Sequence, residues 1–225
     1  MRGIEWTVAV GAEQTTAVYE PGTSGSDAAV FICAHGAGGN MSDRGMLATA
    51  NALRGRGIGV VRFNFLYKEK KSGRPDAMPK LMDAVAAVVA RARSELRQGR
   101  IIIGGRSMGG RVASLLAADG YEADGLLLLA YPLHPAGKPD QLRDAHLPRI
   151  NMPVLCFSGT RDPLCTRALM ERALRTVTAP WEMHWIEGAD HGFHVLKSSG
   201  RTDGDVIAEI GKVSRAWVDQ LPMAL

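Results

Sequence analysis

Residues 100–110 read RIIIGGRSMGG, and their pattern is the strongest indication of the fold class. It begins with a short apolar run, which is typical of a β-strand covered on both faces, and it ends in glycines around Ser107. Val112, Leu115 and Leu116 follow at helical spacing. A strand, a glycine turn and a helix in direct succession form the repeating unit of a parallel sheet that carries helices on its faces.

Similar apolar runs recur along the chain, each short enough for one buried strand. They occupy residues 28–34, 58–63, 125–130 and 153–157, and a further strand is predicted at 181–186. Helical periods separate several of them, at 81–96 and at 206–221, the latter after a capping-box pattern from Thr202 to Asp205. The alternation predicts a three-layer α/β/α sandwich with a mostly parallel central sheet. Residues 4–10 and 15–19 alternate apolar with polar side chains around Gly11, which predicts a hairpin at the sheet edge.

Composition narrows the class of protein. The 225 residues are 46% apolar and 22% charged, which predicts one globular domain over residues 1–225. A membrane span is not expected, because no apolar run approaches about 18 residues, and the first ten residues lack the features of a signal peptide. The odd number of cysteines, three, favours a reducing, cytoplasmic location. Their spacing predicts no metal site, and a net charge of +4 without basic-aromatic runs predicts no nucleic-acid partner.

Ser107 lies at the centre of a Gly-x-Ser-x-Gly pattern between a predicted strand and a predicted helix. In that setting the sharp turn exposes the hydroxyl above the sheet, so Ser107 is the predicted nucleophile. A bystander serine in a glycine-rich turn is the alternative.

A serine hydroxyl needs a base that is oriented by a third group. Asp162 follows the predicted strand 153–157, and His191 follows the strand 181–186, so both should reach the edge of the sheet where Ser107 lies. Asp162 precedes Pro163 and could instead serve a turn. His184 and His194 are the rival bases, but His191 has glycines around it that leave room for a reaching loop.

The segment 35–40, HGAGGN, follows the first parallel strand and is small enough for its backbone to approach a substrate. The predicted oxyanion hole consists of the N–H groups of Ala37 and Met108. His35 is predicted to be structural. A glycine-rich loop can also bind phosphate, but this segment lacks the Lys-Ser/Thr ending of a nucleotide-binding loop.

These motifs, in this order, resemble the α/β-hydrolase superfamily over residues 28–221. Within it, the segments 62–67, 131–135 and 159–163 are similar to a small family that includes testis-expressed and histone-acetyltransferase-complex hydrolase-like proteins. Dienelactone-hydrolase-like proteins are a looser match, because their usual nucleophile is cysteine and position 107 is serine. The resemblance implies the fold and a serine hydrolase, although some members of the family serve as scaffolds.

The substrate pocket is predicted to be shallow and open. Residues 131–152 are too few for the lid that many members of the superfamily carry after this strand. Asn64, Tyr67 and Arg106 are the predicted substrate-binding side chains, with a structural ion pair as the alternative for Arg106. The basic loop 68–74 favours an anionic substrate, and a solvated loop without preference is the alternative.

The sequence therefore predicts a serine hydrolase that cleaves a small-molecule ester or thioester through an acyl-enzyme, with no metal or cofactor. A non-catalytic interaction module on the same fold is the rival interpretation, and a peptidase is a weaker one. The oligomeric state and the acyl and leaving groups are not encoded in any motif.

Overall fold

An eight-stranded sheet runs through the middle of the molecule, in a computed structural model that describes residues 3–23, 29–96 and 99–222. The strands found in these ranges are β1 (Ile4–Val10), β2 (Glu13–Glu20), β3 (Ala29–Ala34), β4 (Ile58–Phe63), β5 (Arg100–Arg106), β6 (Gly125–Leu129), β7 (Val154–Gly159) and β8 (Trp181–Ile186). The α-helices are α1 (Arg44–Arg54), α2 (Leu66–Glu69), α3 (Met78–Glu95), α4 (Met108–Ala118), α5 (Arg167–Leu174) and α6 (Asp203–Gln220).

The strand order is β1-β2-β4-β3-β5-β6-β7-β8. The strands from β3 to β8 pair in parallel, whereas β1 and β2 form an antiparallel hairpin at one edge. The predicted hairpin and the mostly parallel sheet are confirmed. The predicted strand 28–34 is described from Ala29 onward, and Ala28 lies outside the described residues together with most of the loop 22–27.

Helices cover both faces of the sheet. Each strand from β3 to β7 is therefore buried along its whole length or nearly so. On one face α3, α4 and α5 pack against the sheet through side chains such as Val85, Val112 and Met170. On the other face α1 and α6 pack through Leu53 and Ile210, among others. The result is the three-layer α/β/α sandwich that the sequence pattern predicts.

Two details go beyond the sequence pattern. β5 extends three residues past the predicted end at Ile103 and reaches Arg106, so the strand leads directly into Ser107. The helices α1, α2 and α5 have no counterpart in the predicted elements, because α2 is a single turn and α5 buries only Met170 and Ala173. The apolar periods of α2 and α5 are too short to stand out from the surrounding loops. α1 is longer and buries Met46, Thr49, Ala50 and Leu53, and the predicted elements simply omit it.

The connection between β6 and β7 carries no cap domain. Residues 131–152, all of which the structure describes, contain only the 3-10 turn Leu147–Arg149. The carboxyl edge of the sheet is therefore open above β5, as the short connection predicts. Across the described ranges, none of the helices has the length and apolar character needed to span a membrane.

Candidate active site

Ser107 occupies a strained turn between β5 and α4. Its φ of 50° and ψ of −115° lie in a region that side chains other than glycine rarely adopt. The Ser107 N–H donates to the Leu129 carbonyl oxygen at 2.9 Å, which fixes the turn to the neighbouring strand β6. The hydroxyl is thereby held above the carboxyl end of the sheet, as expected for a nucleophile elbow.

The glycines on either side of Ser107 are required by close packing. A Cβ atom at Gly105 or at Gly109 would collide with the carbonyl oxygen of Ala34 on β3. Gly105 also has a φ of +147°, which strains any other residue. The Gly-x-Ser-x-Gly pattern thus reflects the approach of the turn to β3, and it brings Ser107 to within reach of the loop that leaves that strand.

Asp162 and His191 complete a chain of hydrogen bonds that begins at Ser107. The Ser107 Oγ lies 2.9 Å from His191 Nε2, and His191 Nδ1 lies 2.8 Å from Asp162 Oδ2. The carboxylate can only accept, so Nδ1 carries the hydrogen and Nε2 can accept from the serine hydroxyl. Asp162 is 3% exposed, and its other oxygen accepts from the Leu164 N–H at 2.8 Å. The structure therefore brings the three predicted catalytic residues together.

The loops that carry Asp162 and His191 are joined to each other. Arg161 N–H donates to the Ala189 carbonyl oxygen at 2.9 Å, and Gly188 N–H donates to Thr160 Oγ1 at 2.8 Å. Because β7 and β8 are neighbours in the sheet, the two loops leave the same edge side by side. Asp162 is thus fixed against the histidine loop.

The rival residues have other partners. His194 pairs with Asp203 at 3.0 Å and is exposed, whereas His184 donates to Glu209 at 2.6 Å on α6. Asp190 accepts from the N–H groups of Gly192 and His194 and so shapes the loop that presents His191.

The predicted oxyanion hole lies beside Ser107. In the part of the chain that the structure describes, the N–H groups of Ala37 and Met108 have no protein acceptor. Both residues line one cavity together with Ser107. Met108 is also the first residue of α4, where the helix leaves N–H groups unsatisfied.

Two buried side chains support the loop that contains Ala37. His35 Nε2 accepts from the Phe65 N–H at 3.1 Å, so its Nδ1 carries the hydrogen and donates to the Gly36 carbonyl oxygen at 2.7 Å. Burial lowers the pKa of His35, which keeps the ring neutral. The Tyr67 hydroxyl donates to the Ala37 carbonyl oxygen at 2.7 Å, and burial raises the Tyr67 pKa to about 12. The predicted structural role of His35 is consistent with these contacts.

Two cavities flank Ser107. One, of about 380 Å³, is called here the histidine cavity and is lined by Gly36, Gly38, Asp43, Arg106, Ser107 and His191, among others. The other, of about 390 Å³, is called the arginine cavity and is lined by Ala37, Ser107, Met108, Arg111, His134 and Arg143, among others. Both are open to solvent, in keeping with the predicted shallow pocket.

Of the three predicted substrate-binding residues, one lines a cavity beside Ser107 and two do not. Arg106 lines the histidine cavity and donates to the His191 carbonyl oxygen at 3.2 Å, without an ion pair to any described carboxylate. Asn64 and Tyr67 line neither cavity. Asn64 accepts from the Met41 N–H at 3.0 Å and donates to Glu69, and Tyr67 lies beneath the Ala37 loop. Asn64 and Tyr67 therefore support the loops around Ser107 and do not line a cavity. The reason is that the chain after β4 enters the helix α2, which buries Tyr67.

The basic loop 68–74 is also absent from the linings of both cavities. Lys70 pairs with Glu13, and the Lys68 ammonium lies 5.3 Å from the centre of the Tyr67 ring. The cations that do line the arginine cavity are Arg111 and Arg143. The sequence carries a signal for Arg111, which lies four residues after Ser107 in the first turn of α4, but none for Arg143.

The three cysteines lie in the core. Cys33, Cys156 and Cys165 are buried, and burial raises the pKa of each thiol, as expected for inert core residues. Within the described ranges, no three His, Cys, Asp or Glu side chains are grouped as metal ligands.

Comparison with known proteins gives one family and several structural neighbours. A family model described as "Alpha/beta hydrolase domain" matches residues 27–219. An uncharacterized protein of Mycobacterium tuberculosis is 29% identical over 192 residues, which are 77% of this chain and 66% of that protein. The chain therefore spans just under two thirds of the length of this relative.

Two solved structures illustrate the likeness in fold. A serine hydrolase without lid from Xanthomonas campestris superimposes with a TM-score of 0.76 at 22% identity, covering 100% of this chain and 98% of that one. A dienelactone hydrolase from Anabaena variabilis gives 0.75 at 18% identity, covering 98% and 99%. At these identities the likeness establishes the fold alone.

Proposed function

This chain belongs to the alpha/beta hydrolase domain family, and on that premise we propose that it is a serine hydrolase that cleaves a carboxylic ester or thioester. The observation that carries the proposal is the continuous chain of hydrogen bonds from Ser107 through His191 to Asp162. Such a chain lets a neutral imidazole take the serine proton while the carboxylate stabilises the imidazolium that forms.

In the first half of the reaction, Ser107 Oγ attacks the carbonyl carbon of the substrate and His191 Nε2 takes the hydroxyl proton. The carbonyl oxygen becomes an oxyanion, which accepts from the N–H groups of Ala37 and Met108. The bond to the leaving oxygen or sulfur then breaks, and His191 returns its proton to that atom. An alcohol or thiol departs, and the acyl group stays on Ser107.

In the second half, a water molecule attacks the acyl-enzyme. His191 takes one of its protons, the oxyanion forms again at the same two N–H groups, and the bond to Ser107 Oγ breaks as the proton moves to that oxygen. The carboxylic acid leaves and the enzyme is restored. Asp162 keeps the imidazole in one tautomer and orientation through both halves.

Several finer features belong to the same proposal. Residues 1–225 form one domain in a cytoplasmic protein, and the chain falls in the testis-expressed and histone-acetyltransferase-complex group of hydrolase-like proteins. Tyr67 and Asn64 act as positioning residues for the loops around Ser107, and Arg106 positions the His191 loop. The positioning roles rest on the contacts described above, and the family group rests on the sequence motifs. The location and the domain count rest on the three cysteines and on the composition.

The test is a comparison of wild-type protein with Ser107→Ala on p-nitrophenyl acetate and butyrate. We expect the substitution to remove at least about 10⁴-fold of kcat/KM, because the nucleophile is lost. Ser72→Ala, in the exposed loop 68–74, is the matched control and should retain wild-type turnover. Full activity of Ser107→Ala would refute the proposal, and inactive wild-type protein on a broad ester and thioester panel would favour the interaction module.

A further inference from the structure

The arginine cavity lies on the side of Ser107 that His191 does not line. Because the imidazole must hand its proton to the leaving group, the leaving group occupies the histidine cavity. The acyl group is then directed into the arginine cavity, where Leu81, Met108 and Leu164 offer apolar surface for methylene groups. The chemistry of this lining therefore reports on the acyl part of the substrate.

Two guanidinium groups line the arginine cavity. Arg111 lies four residues after Ser107 on α4, a rise of about 6 Å along the helix, and Arg143 comes from the connection between β6 and β7. Burial, and next the like charge of Arg111, lower the pKa of Arg143. Neither side chain forms an ion pair with a carboxylate in the described ranges. Two neighbouring cations without a counter-ion favour the binding of an anion.

Two buried polar atoms on the same lining lack partners. Arg111 Nε and His134 Nε2 have no hydrogen-bond partner among the described residues. His134 is 3% exposed, and its Nδ1–H donates to the Pro135 carbonyl oxygen at 2.9 Å, so Nε2 is left as an acceptor for an N–H or O–H group of a ligand and not for a carboxylate. Buried polar atoms are normally hydrogen-bonded, so both residues point to a polar ligand group. Arg111 Nε–H is the donor of the two, and it is the atom that a carboxylate oxygen can complete.

One carboxylate on the lining does not cancel this charge. Asp76 lines the arginine cavity, but its carboxylate accepts from the Tyr67 N–H at 2.9 Å and lies 3.7 Å from the Lys80 ammonium. Asp76 is thus already engaged with the protein, while the two arginines have no carboxylate partner.

We propose that the arginine cavity selects acyl groups that carry a carboxylate, so that the substrates are half-esters or half-thioesters of short dicarboxylic acids. Arg111 and Arg143 donate to the carboxylate, and the apolar part of the lining contacts the methylene chain between the two carbonyl carbons. This inference rests on the proposed hydrolase function and adds its substrate class. It places the selecting charges in the cavity rather than in the basic loop 68–74.

The test compares p-nitrophenyl hemiglutarate with p-nitrophenyl pentanoate, which has the same chain length and no charge. For each ester kcat/KM is corrected for uncatalysed hydrolysis, and the ratio of the two values is the readout. Wild-type protein should prefer the anionic ester, and Arg111→Gln or Arg143→Gln should each lower the ratio about tenfold, since each removes a charge-assisted hydrogen bond. Arg111→Lys should restore part of the preference, because it keeps the charge but not the fork.

Three controls distinguish the cavity from the rest of the surface and from the leaving-group side. Arg172→Gln, an exposed arginine on α5, should leave the ratio unchanged, and so should the pair Lys71→Gln and Arg74→Gln in the basic loop. The inference would be overturned if Arg111→Gln and Arg143→Gln both kept the wild-type ratio of kcat/KM for the anionic ester to kcat/KM for the neutral ester. It would also be overturned if this ratio fell only in the variant of the basic loop. The inference would also be overturned if wild-type protein preferred 4-carboxyphenyl pentanoate to the uncharged phenyl pentanoate and Arg111→Gln abolished this preference. The anion bound by Arg111 would then belong to the leaving group.

A binding measurement covers the case in which neither ester is cleaved. Glutarate alone should raise the thermal midpoint of wild-type protein and raise it less in Arg111→Gln, whose midpoint without ligand also reports whether it folds. Absence of turnover together with this glutarate effect would refute the hydrolase and keep the anion site. Turnover of the neutral ester without any glutarate effect, and without a preference for the anionic ester, would refute the anion site and keep the hydrolase.

Discussion

The two cavities beside Ser107 have nearly equal volumes, about 380 and 390 Å³, but they differ in what lines them. The histidine cavity is bounded by His191 and by backbone of the loop 36–39, with Arg106 bonded to the His191 carbonyl oxygen. The arginine cavity is bounded by side chains whose polar atoms have few or no partners, among them Arg111 and His134.

The difference assigns proton transfer to the histidine cavity and the choice of substrate to the arginine cavity. On the histidine side, polar groups are tied to one another, which fixes the geometry that proton transfer requires. On the arginine side, Arg111 Nε and His134 Nε2 have no partner among the described residues, so a ligand can complete them, whereas Asp76 and Arg143 already contact the protein. Substitutions on the first side should change turnover of all esters alike, and those on the second side should change the preference among esters.

The largest effect is expected from Asp162→Asn. The amide can donate to His191 Nδ1 and so favours the wrong tautomer, which should lower kcat/KM for neutral and anionic esters alike by about 10⁴-fold. Asp190→Asn is the matched control, since the amide oxygen can still accept from the Gly192 and His194 N–H groups. Steady-state kinetics with both variants measures the difference, and equal losses would remove the distinction between the two carboxylates.

Arg106→Gln should have a smaller effect, still on the histidine side. The variant loses the hydrogen bond to the His191 carbonyl oxygen and the contact with the Phe193 ring at 5.8 Å. A misplaced imidazole should lower kcat about tenfold for both esters, without a change in their ratio. A change in the ratio instead would show that Arg106 selects the anion and would break the contrast between the cavities.

Tyr67→Phe should lower kcat by about three- to tenfold while leaving KM nearly unchanged, because the Ala37 loop loses one of its supports. Loss of a net hydrogen bond should also cost about 1 kcal/mol of the free energy of unfolding. Tyr121→Phe removes a hydroxyl bonded to the Ala86 carbonyl oxygen, on α3, and serves as the comparison. If both variants lose the same share of kcat, Tyr67 has no special role in the oxyanion loop.

The smallest effect is one of pH on stability, and it involves His146, which is linked to Arg111 through Ser114. His146 donates to Ser114 Oγ at 2.8 Å, and Ser114 donates to the Arg111 carbonyl oxygen. Burial lowers the His146 pKa to about 4, so between its ordinary value and about 4 the unfolded chain binds more protons than the folded one. Stability should therefore fall as the pH falls through this range.

His146→Asn should flatten that fall, since the amide cannot titrate. Urea unfolding of the wild type and of His146→Asn from pH 7 to pH 4 measures the effect. Parallel curves would mean that His146 contributes nothing to the acid sensitivity. Its sources would then be the other groups with a lowered pKa, namely His35 and the carboxyl groups of Glu13, Asp203, Asp205 and Glu209.

The sequence predicts the three members of the hydrogen-bonded chain because each follows an apolar strand. Ser107 follows β5 directly, and Asp162 and His191 follow β7 and β8 within five residues. Parallel strands end at one edge of the sheet, so residues that follow them share that edge whatever the distance in sequence. Glycines at the sites of close approach, such as Gly105 and Gly109, make the turn recognisable.

The walls of the cavities are not predictable in the same way. Tyr67 follows β4, a position that predicts a place at the rim, yet its side chain is 1% exposed because α2 turns it under the Ala37 loop. His134 and Arg143 belong to a connection with no helical or strand period, so nothing local predicts which way their side chains face. The charge of the cavity depends on these contacts, which exist only after the chain has folded.

Labelling with a fluorophosphonate tests whether Ser107 is the nucleophile and His191 its base, because the probe reacts through the same two groups as an ester. Peptide mass spectrometry of the labelled protein should find one adduct, on Ser107, formed with loss of fluoride, and labelling should slow sharply in His191→Gln. An adduct on another serine, or no adduct in wild-type protein under conditions that label a known serine hydrolase, would contradict the account.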